Sequence, residues 1–309
     1  MTMTKPRSSN GGSRYEVLLL DLDNTLYDWV AFYAGSLWAM ISALSERLGI
    51  DTEELTDQFR HLYEREGSVE YAFVVQQLDA TREMPSEDVE ELIDLAQQTF
   101  ALARRRFLRP YAGVPETLEA AKGAGIAVVG VTNAPLFQAH RRLCQLGLLE
   151  YFDALAAWEG FHIPADDPYL DTIRRRSARG EYEPRIPYVN GFERQALKPG
   201  SAMFKWALAK LGAPAQRSLA VGDSIEKDLA PAQALGAAGA WCAYGASPAP
   251  ADFETLLKVT PWKAEEIRRT YAAGAGEGYA TLDRFEDVLD LLEIDEARSS
   301  VAEVHRSGG

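Results

Sequence analysis

Cysteine is scarce in this chain. Cys144 and Cys242 are the only two among 309 residues, and both fall in apolar stretches. That is too few for a disulfide framework, and a reduced, cytoplasmic setting is expected. Positive charge is also short: 32 Lys and Arg against 46 Asp and Glu leave a net charge of -14. A nucleic-acid backbone needs concentrated Lys and Arg, so a nucleic-acid polymer is not an expected partner. An anionic substrate would instead require local positive charge or a metal. No apolar run approaches the roughly 18 residues of a membrane span. The stretch up to Arg14 is polar and Gly/Ser-rich and lacks the apolar core of a signal peptide. Residues 1–14, and likewise 295–309, read as disordered tails. There is no internal repeat. The chain as a whole is 47% hydrophobic, ample for a buried core.

The strongest positive signal is Val17-Leu18-Leu19-Leu20-Asp21-Leu22-Asp23-Asn24-Thr25-Leu26. A strand-like apolar run stops at two carboxylates spaced i, i+2, which a strand would point to one side. Open α/β sheets place ligands at the carboxyl ends of their strands. Two carboxylates this close are costly unless they share a proton or a cation, and hard oxygen ligands suit Mg²⁺. Read alone, the same residues also fit an Asx turn that caps the next segment.

Helical spacing predicts helices at Trp29–Leu48, Thr52–Glu66, Val69–Leu78 and Ser86–Arg106, with Ser86 as N-cap. Residues 28–106 therefore read as an all-helical insert. Strand and helix then alternate: helix 115–123, strand 126–131, helix 136–146, strand 151–157, helix 201–211, strand 218–221, helix 227–235, strand 240–244, and a short strand at Thr281 with a helix at 285–292. That order implies an α/β fold with a doubly wound parallel sheet over 15–27 and 107–294, every strand ending on one edge. Two stretches resist the pattern. Residues 158–197 are rich in Pro, Arg and acid and contain Arg174-Arg175-Arg176. They are a candidate second lid, or else a solvated basic stretch paired with its own acids. Residues 247–278 form a second excursion with a helix expected near 262–272.

The strand ends carry the chemistry. The second ends in Thr132-Asn133 and a later one in Gly222-Asp223-Ser224, with Asp228 one turn on, while Lys198 precedes Pro199-Gly200. Singly, these fit a helix cap, a turn, a dipole-favoured acid and a solvated lysine. Their conjunction in order at successive strand ends favours a site.

With those four motifs the chain resembles the haloacid dehalogenase superfamily of hydrolases, over most of residues 15–245. The resemblance implies a Rossmann-like core with the helical insert as a cap. It implies that Asp21 is a nucleophile forming an aspartyl-phosphate, and Asp23 a general acid and base. Mg²⁺ would be held by Asp21, Asp23 through its carbonyl, and Asp223, with Asp228 in support, and the phosphate by Thr132, Asn133 and Lys198. Dehalogenating members lack the acid two positions after the nucleophile, because a halide leaves without a proton. Asp23 therefore points to phosphate-ester hydrolysis of a small metabolite. Phosphomutase, 2-haloacid dehalogenase and non-catalytic phosphate-binding activities remain the alternatives. Tyr63 and Gly67 together with Thr132-Asn133-Ala134 and Ala139-His140 are somewhat similar to the pyrimidine 5′-nucleotidase branch, from which the 158–197 insert departs.

Overall fold

The computed structural model describes residues 13–161, 169, 185–263, 265 and 278–294. Seven parallel strands form one sheet in the order β4-β3-β2-β1-β5-β6-β7. They are β1 (Val17–Leu20), β2 (Ala127–Pro135), β3 (Ala154–Trp158), β4 (Tyr188–Phe192), β5 (Ser218–Gly222), β6 (Ala238–Cys242) and β7 (Ala280–Leu282). The centre of the sheet is β1, all four of whose residues are buried. Leu20 stands opposite Gly130 on one side and Val221 on the other. The chain winds outward from β1 through β2 to β4, then returns to β5 on the opposite flank. Strand order thus reverses beside β1, and ligand crevices open at such switch points.

Alternation along β1 divides the core. Leu18 and Leu20 face one apolar layer, while Val17 and Leu19 face another with Met203, Phe204 and Ala207 of the Ala202–Leu211 helix. The first layer is continuous through Leu22, Leu26 and Tyr27 into the helical insert.

The insert comprises α1 (Trp29–Leu48), α2 (Thr52–Glu66) and α3 (Ser86–Phe107). Asp28 caps α1 by accepting from the Ala31 N–H at 2.8 Å, and Asp51 caps α2 from the Glu53 N–H at 2.9 Å. Gly49 and Gly67 close both helices at positive φ. The aromatic residues at helical spacing are mainly core: Trp29 stacks on Tyr33 at 4.7 Å, and Phe32 meets Phe100 edge-on at 6.0 Å.

Several expectations shift. Ser86 is the first helical residue, not the cap, which is Pro85. The Val69–Leu78 helix is absent; the segment makes turns and one 3₁₀ piece, Val75–Gln77, with a second, Asp79–Thr81, directly after it. The Thr81 hydroxyl there donates to the Leu78 carbonyl at 2.9 Å, and turns bury Val69, Val74 and Leu78 as a helix would. The 158–197 stretch supplies the edge strand β4, paired with β3. Arg174–Arg176, most of the helix expected near 262–272, and the tails apart from Ser13 and Arg14 lie outside the described residues. Within the 247–278 excursion, a helix at Pro250–Val259 packs on α1 and α2. Arg60 Nε of α2 donates to the Thr260 carbonyl at 3.2 Å. Cys242 is buried, but Cys144 is exposed despite its apolar neighbours. Among the described residues, no helix is long and apolar enough to cross a membrane.

Candidate active site

The carboxyl end of β1 lies between β2 and β5, and the Asp21 N–H still donates to the Val221 carbonyl at 2.9 Å. Beyond it the chain turns sharply. Asn24 adopts φ 58°, a left-handed conformation that Asn tolerates. Its side-chain oxygen accepts from the Trp29 N–H at 3.1 Å, fastening the turn to α1. Gly245 is needed opposite: a Cβ there would fall on the Asn24 carbonyl oxygen.

Lys198 reaches into this edge from the loop before Pro199, its side chain 3% exposed. Its Nζ donates to Asp21 Oδ1 and to Asp228 Oδ1, each at 2.6 Å. Asp228 lies on a π-helical turn, Ile225–Leu229; such turns often occur at functional sites. Its other oxygen accepts from the Ser224 N–H at 2.9 Å, and a Cβ on Gly222 would strike that carboxylate.

Asn133 serves the same lysine. Its amide donates to the Lys198 carbonyl at 2.8 Å and accepts from the Lys198 N–H at 2.9 Å. Thr132 is buried and accepts from the Ala134 N–H at 3.1 Å. Both residues lie within β2, which runs on to Pro135 with an irregular register against β3 after Val131. The strand does not stop at 131 as its apolar run suggested.

Asp21, Asp223 and Asp228 bring carboxylate oxygens within 4.8 Å of one another. Three buried carboxylates face one ammonium. Burial pushes Asp21 up to about 7 against the opposing pull of Lys198, with Asp228 and Asp23 adding to the rise. Burial, then Asp21 and Asp228, likewise hold Asp223 well above the usual carboxylate range. Burial alone would lower Lys198, but Asp21 and Asp228 outweigh it and raise its proton affinity. An all-oxygen cluster with too little positive charge suits a hard divalent cation.

The Asp23 side chain does not join that group. Its Oδ1 accepts from the Tyr27 hydroxyl at 2.6 Å and from Arg142 Nη1 at 2.9 Å. Arg142 continues through its other amino group to Glu70 Oε1, which also accepts from Trp29 Nε1 at 3.0 Å. Sequence reasoning missed Arg142 and Glu70. The available clue was a charge on the apolar face of the Leu136–Gln145 helix, whose buried positions are Ala139, His140, Arg142 and Leu143. Burial, with Arg185 nearby, lowers the His140 pKa. His61 is exposed.

The chain is 24% identical over 220 residues to a glyceraldehyde 3-phosphate phosphatase of Methanocaldococcus jannaschii, covering 71% of this chain and 81% of that one. It is 28% identical to a phosphoglycolate phosphatase of Agrobacterium fabrum, covering 69% and 74%. Among solved structures, a 2-haloacid dehalogenase from Pseudomonas syringae superposes with a TM-score of 0.54 at 19% identity, over 90% of this chain and 98% of that one. A HAD phosphatase from Thermococcus onnurineus gives 0.51 at 18%, over 91% and 99%. Those likenesses carry the fold alone. Residues 196–261 match the HAD-hydrolase-like profile, and residues 15–174, more than half the chain, match that of the haloacid dehalogenase-like hydrolases. The chain belongs to the haloacid dehalogenase-like hydrolase family.

Proposed function

We propose that this protein is a Mg²⁺-dependent phosphatase acting on a small phosphorylated metabolite. The observation that carries the reading is the pairing of two different carboxylate settings at one strand end. Asp21 is buried among Lys198, Asp223 and Asp228, whereas Asp23 is 24% exposed and anchored through a single oxygen. The first setting suits a nucleophile and the second a proton carrier. Asp21 forms a bond to phosphorus as the bond to the leaving oxygen breaks, and Asp23 gives its proton to that oxygen. Asp23 then takes a proton from water, whose oxygen attacks phosphorus and releases inorganic phosphate and Asp21. Thr132 and Lys198 hold the phosphoryl oxygens, with the Asn133 side chain keeping Lys198 in place. Mg²⁺ bound by Asp21, Asp223 and the Asp23 carbonyl, with Asp228 in support, would neutralise charge between carboxylate and phosphate. The named activities of the two relatives support a short phosphorylated carbon skeleton as substrate. The paired charges and the acid at position 23 favour this over a dehalogenase, mutase or non-catalytic role. Two free thiols fit a reducing, cytoplasmic home.

The test is turnover of 4-nitrophenyl phosphate by the purified chain in Mg²⁺, with EDTA and 2-chloropropionate as controls. Mg²⁺-dependent phosphate release is expected. Halide release without phosphate release would sink the reading. A panel of triose phosphates, phosphoglycolate and nucleotides then ranks substrates.

A thermal measurement tests the metal separately. Asp21 titrates near 7 when folded and near its ordinary 3.8 when unfolded. Between those values the folded state holds the extra proton, so metal-free stability falls as pH rises through that window. Metal binds the deprotonated cluster and stabilises the folded state. Melting temperature in EDTA is expected to drop from pH 5 to pH 8, with Mg²⁺ restoring it at pH 8 and adding little at pH 5. Identical melting with and without Mg²⁺ at pH 8 would remove the metal from this cluster.

A further inference from the structure

Arg142 is a charged side chain only 3% exposed, placed between a core carboxylate and a cap carboxylate. Burying a guanidinium is costly unless its charge and donors are met. Here Asp23 meets one amino group and Glu70 the other, the Phe32 ring lies 5.3 Å from the guanidinium carbon, and Nε alone is buried without a hydrogen-bond partner among the described residues. Tyr27, the second donor to Asp23 Oδ1, bridges to Pro110, so the two crossings between core and cap run side by side here. Glu70 follows α2 in the cap, and its Oε1 is shared between Arg142 and Trp29 of α1. Among the described residues, Asp23 Oδ2 has no hydrogen-bond partner.

We propose that Arg142 is a positioning residue for Asp23: with Tyr27 it fixes Oδ1, leaves Oδ2 as the oxygen that exchanges the proton, and is itself oriented by Glu70 from the cap. The inference rests on the phosphatase reading above. In the step concerned, the bond from phosphorus to the leaving oxygen breaks and Asp23 transfers one proton to that oxygen. A misdirected Asp23 slows this step most when the leaving group is a poor one. A residue that only holds the cap in place would affect good and poor leaving groups alike.

The experiment compares 4-nitrophenyl phosphate, whose leaving group departs readily without a proton, with glycerol 2-phosphate, whose alkoxide does not. It uses the full chain in Mg²⁺. Arg142→Lys keeps the charge but cannot span both carboxylates. It is expected to lower kcat on glycerol 2-phosphate about 100-fold, within the usual range for loss of general acid catalysis, and on 4-nitrophenyl phosphate only about 3-fold. Tyr27→Phe removes the other Oδ1 donor without altering charge and is expected to reproduce the selectivity, which decides the matter if Arg142→Lys fails to fold. In an Asp23→Asn background, Arg142→Lys adds no further loss on glycerol 2-phosphate. Equal loss on both substrates in folded variants overturns the inference while leaving the phosphatase reading intact. Wild-type protein inactive on both phosphates overturns that reading and this inference with it.

Discussion

Replacing Asp21 with Asn is expected to abolish turnover while leaving the fold in place, with kcat falling at least about 10⁴-fold. The amide is nearly isosteric, and its oxygen still accepts from Lys198, but it cannot act as the anionic nucleophile. The structural consequence runs the other way. Asp21 is one of three carboxylates crowded within 4.8 Å, and burial already raises its pKa. Deleting its charge relieves repulsion on Asp223 and Asp228, so metal-free stability should hold or rise. Steady-state kinetics on 4-nitrophenyl phosphate and a melting curve in EDTA measure the two halves together. A variant that keeps more than about 1% of wild-type kcat would remove Asp21 from the nucleophile's role.

Lys198→Met is expected to damage both folding and catalysis. The methionine keeps most of the side-chain volume but deletes the one ammonium that Asp21 and Asp228 share at 2.6 Å. Removing one member of a buried ionic group leaves its partners uncompensated, a cost of about 3–5 kcal/mol. The backbone clamp from Asn133 survives, because it holds the lysine's N–H and carbonyl and not its side chain. The loss should therefore be electrostatic, and Mg²⁺ should recover part of it. Loss of one charge on the transferring phosphoryl group should further lower kcat/KM by about 10²–10³-fold. Urea denaturation at pH 8 with and without Mg²⁺ tests the first expectation. An unchanged midpoint in EDTA would mean that Lys198 does not hold the acid cluster together.

The sequence was most readable where one local cause set the outcome. An all-apolar run met two carboxylates, and β1 ends where those residues say it should. The caps Asp28 and Asp51 and the glycines 49 and 67 bound α1 and α2 at the residues that periodicity indicated. Reading failed where tertiary partners decide. The edge strand β4 has no fully buried residue and runs Tyr-Val-Asn-Gly-Phe, so no apolar run announced it. The expected helix at 227–235 begins as a π-helical turn in which the Asp228 carboxylate accepts from the Ser224 N–H, a pairing the sequence does not show. Arg142 sits in an Arg-Arg pair, and its contacts with Asp23, Phe32 and Glu70, all distant in sequence, set it apart from Arg141. The strand ends could be gathered from topology alone, but the choice of hydrogen-bond partners could not.

The Pro250–Val259 helix changes how the helical insert is held to the sheet. A cap inserted by two linkers can swing like a door on one side. Here a third stretch of chain, leaving the sheet after β6, is laid across α1 and α2 and tied by Arg60 to Thr260. That stretch departs through Tyr244, whose hydroxyl donates to the Thr25 carbonyl at 2.7 Å, and through Gly245 against Asn24. Any displacement of the helical layer therefore pulls on the turn that follows Asp21. The insert is thus cross-braced to the carboxyl end of β1; under the phosphatase proposal, substrate entry would have to be matched to a small shear of that brace, not to a free hinge.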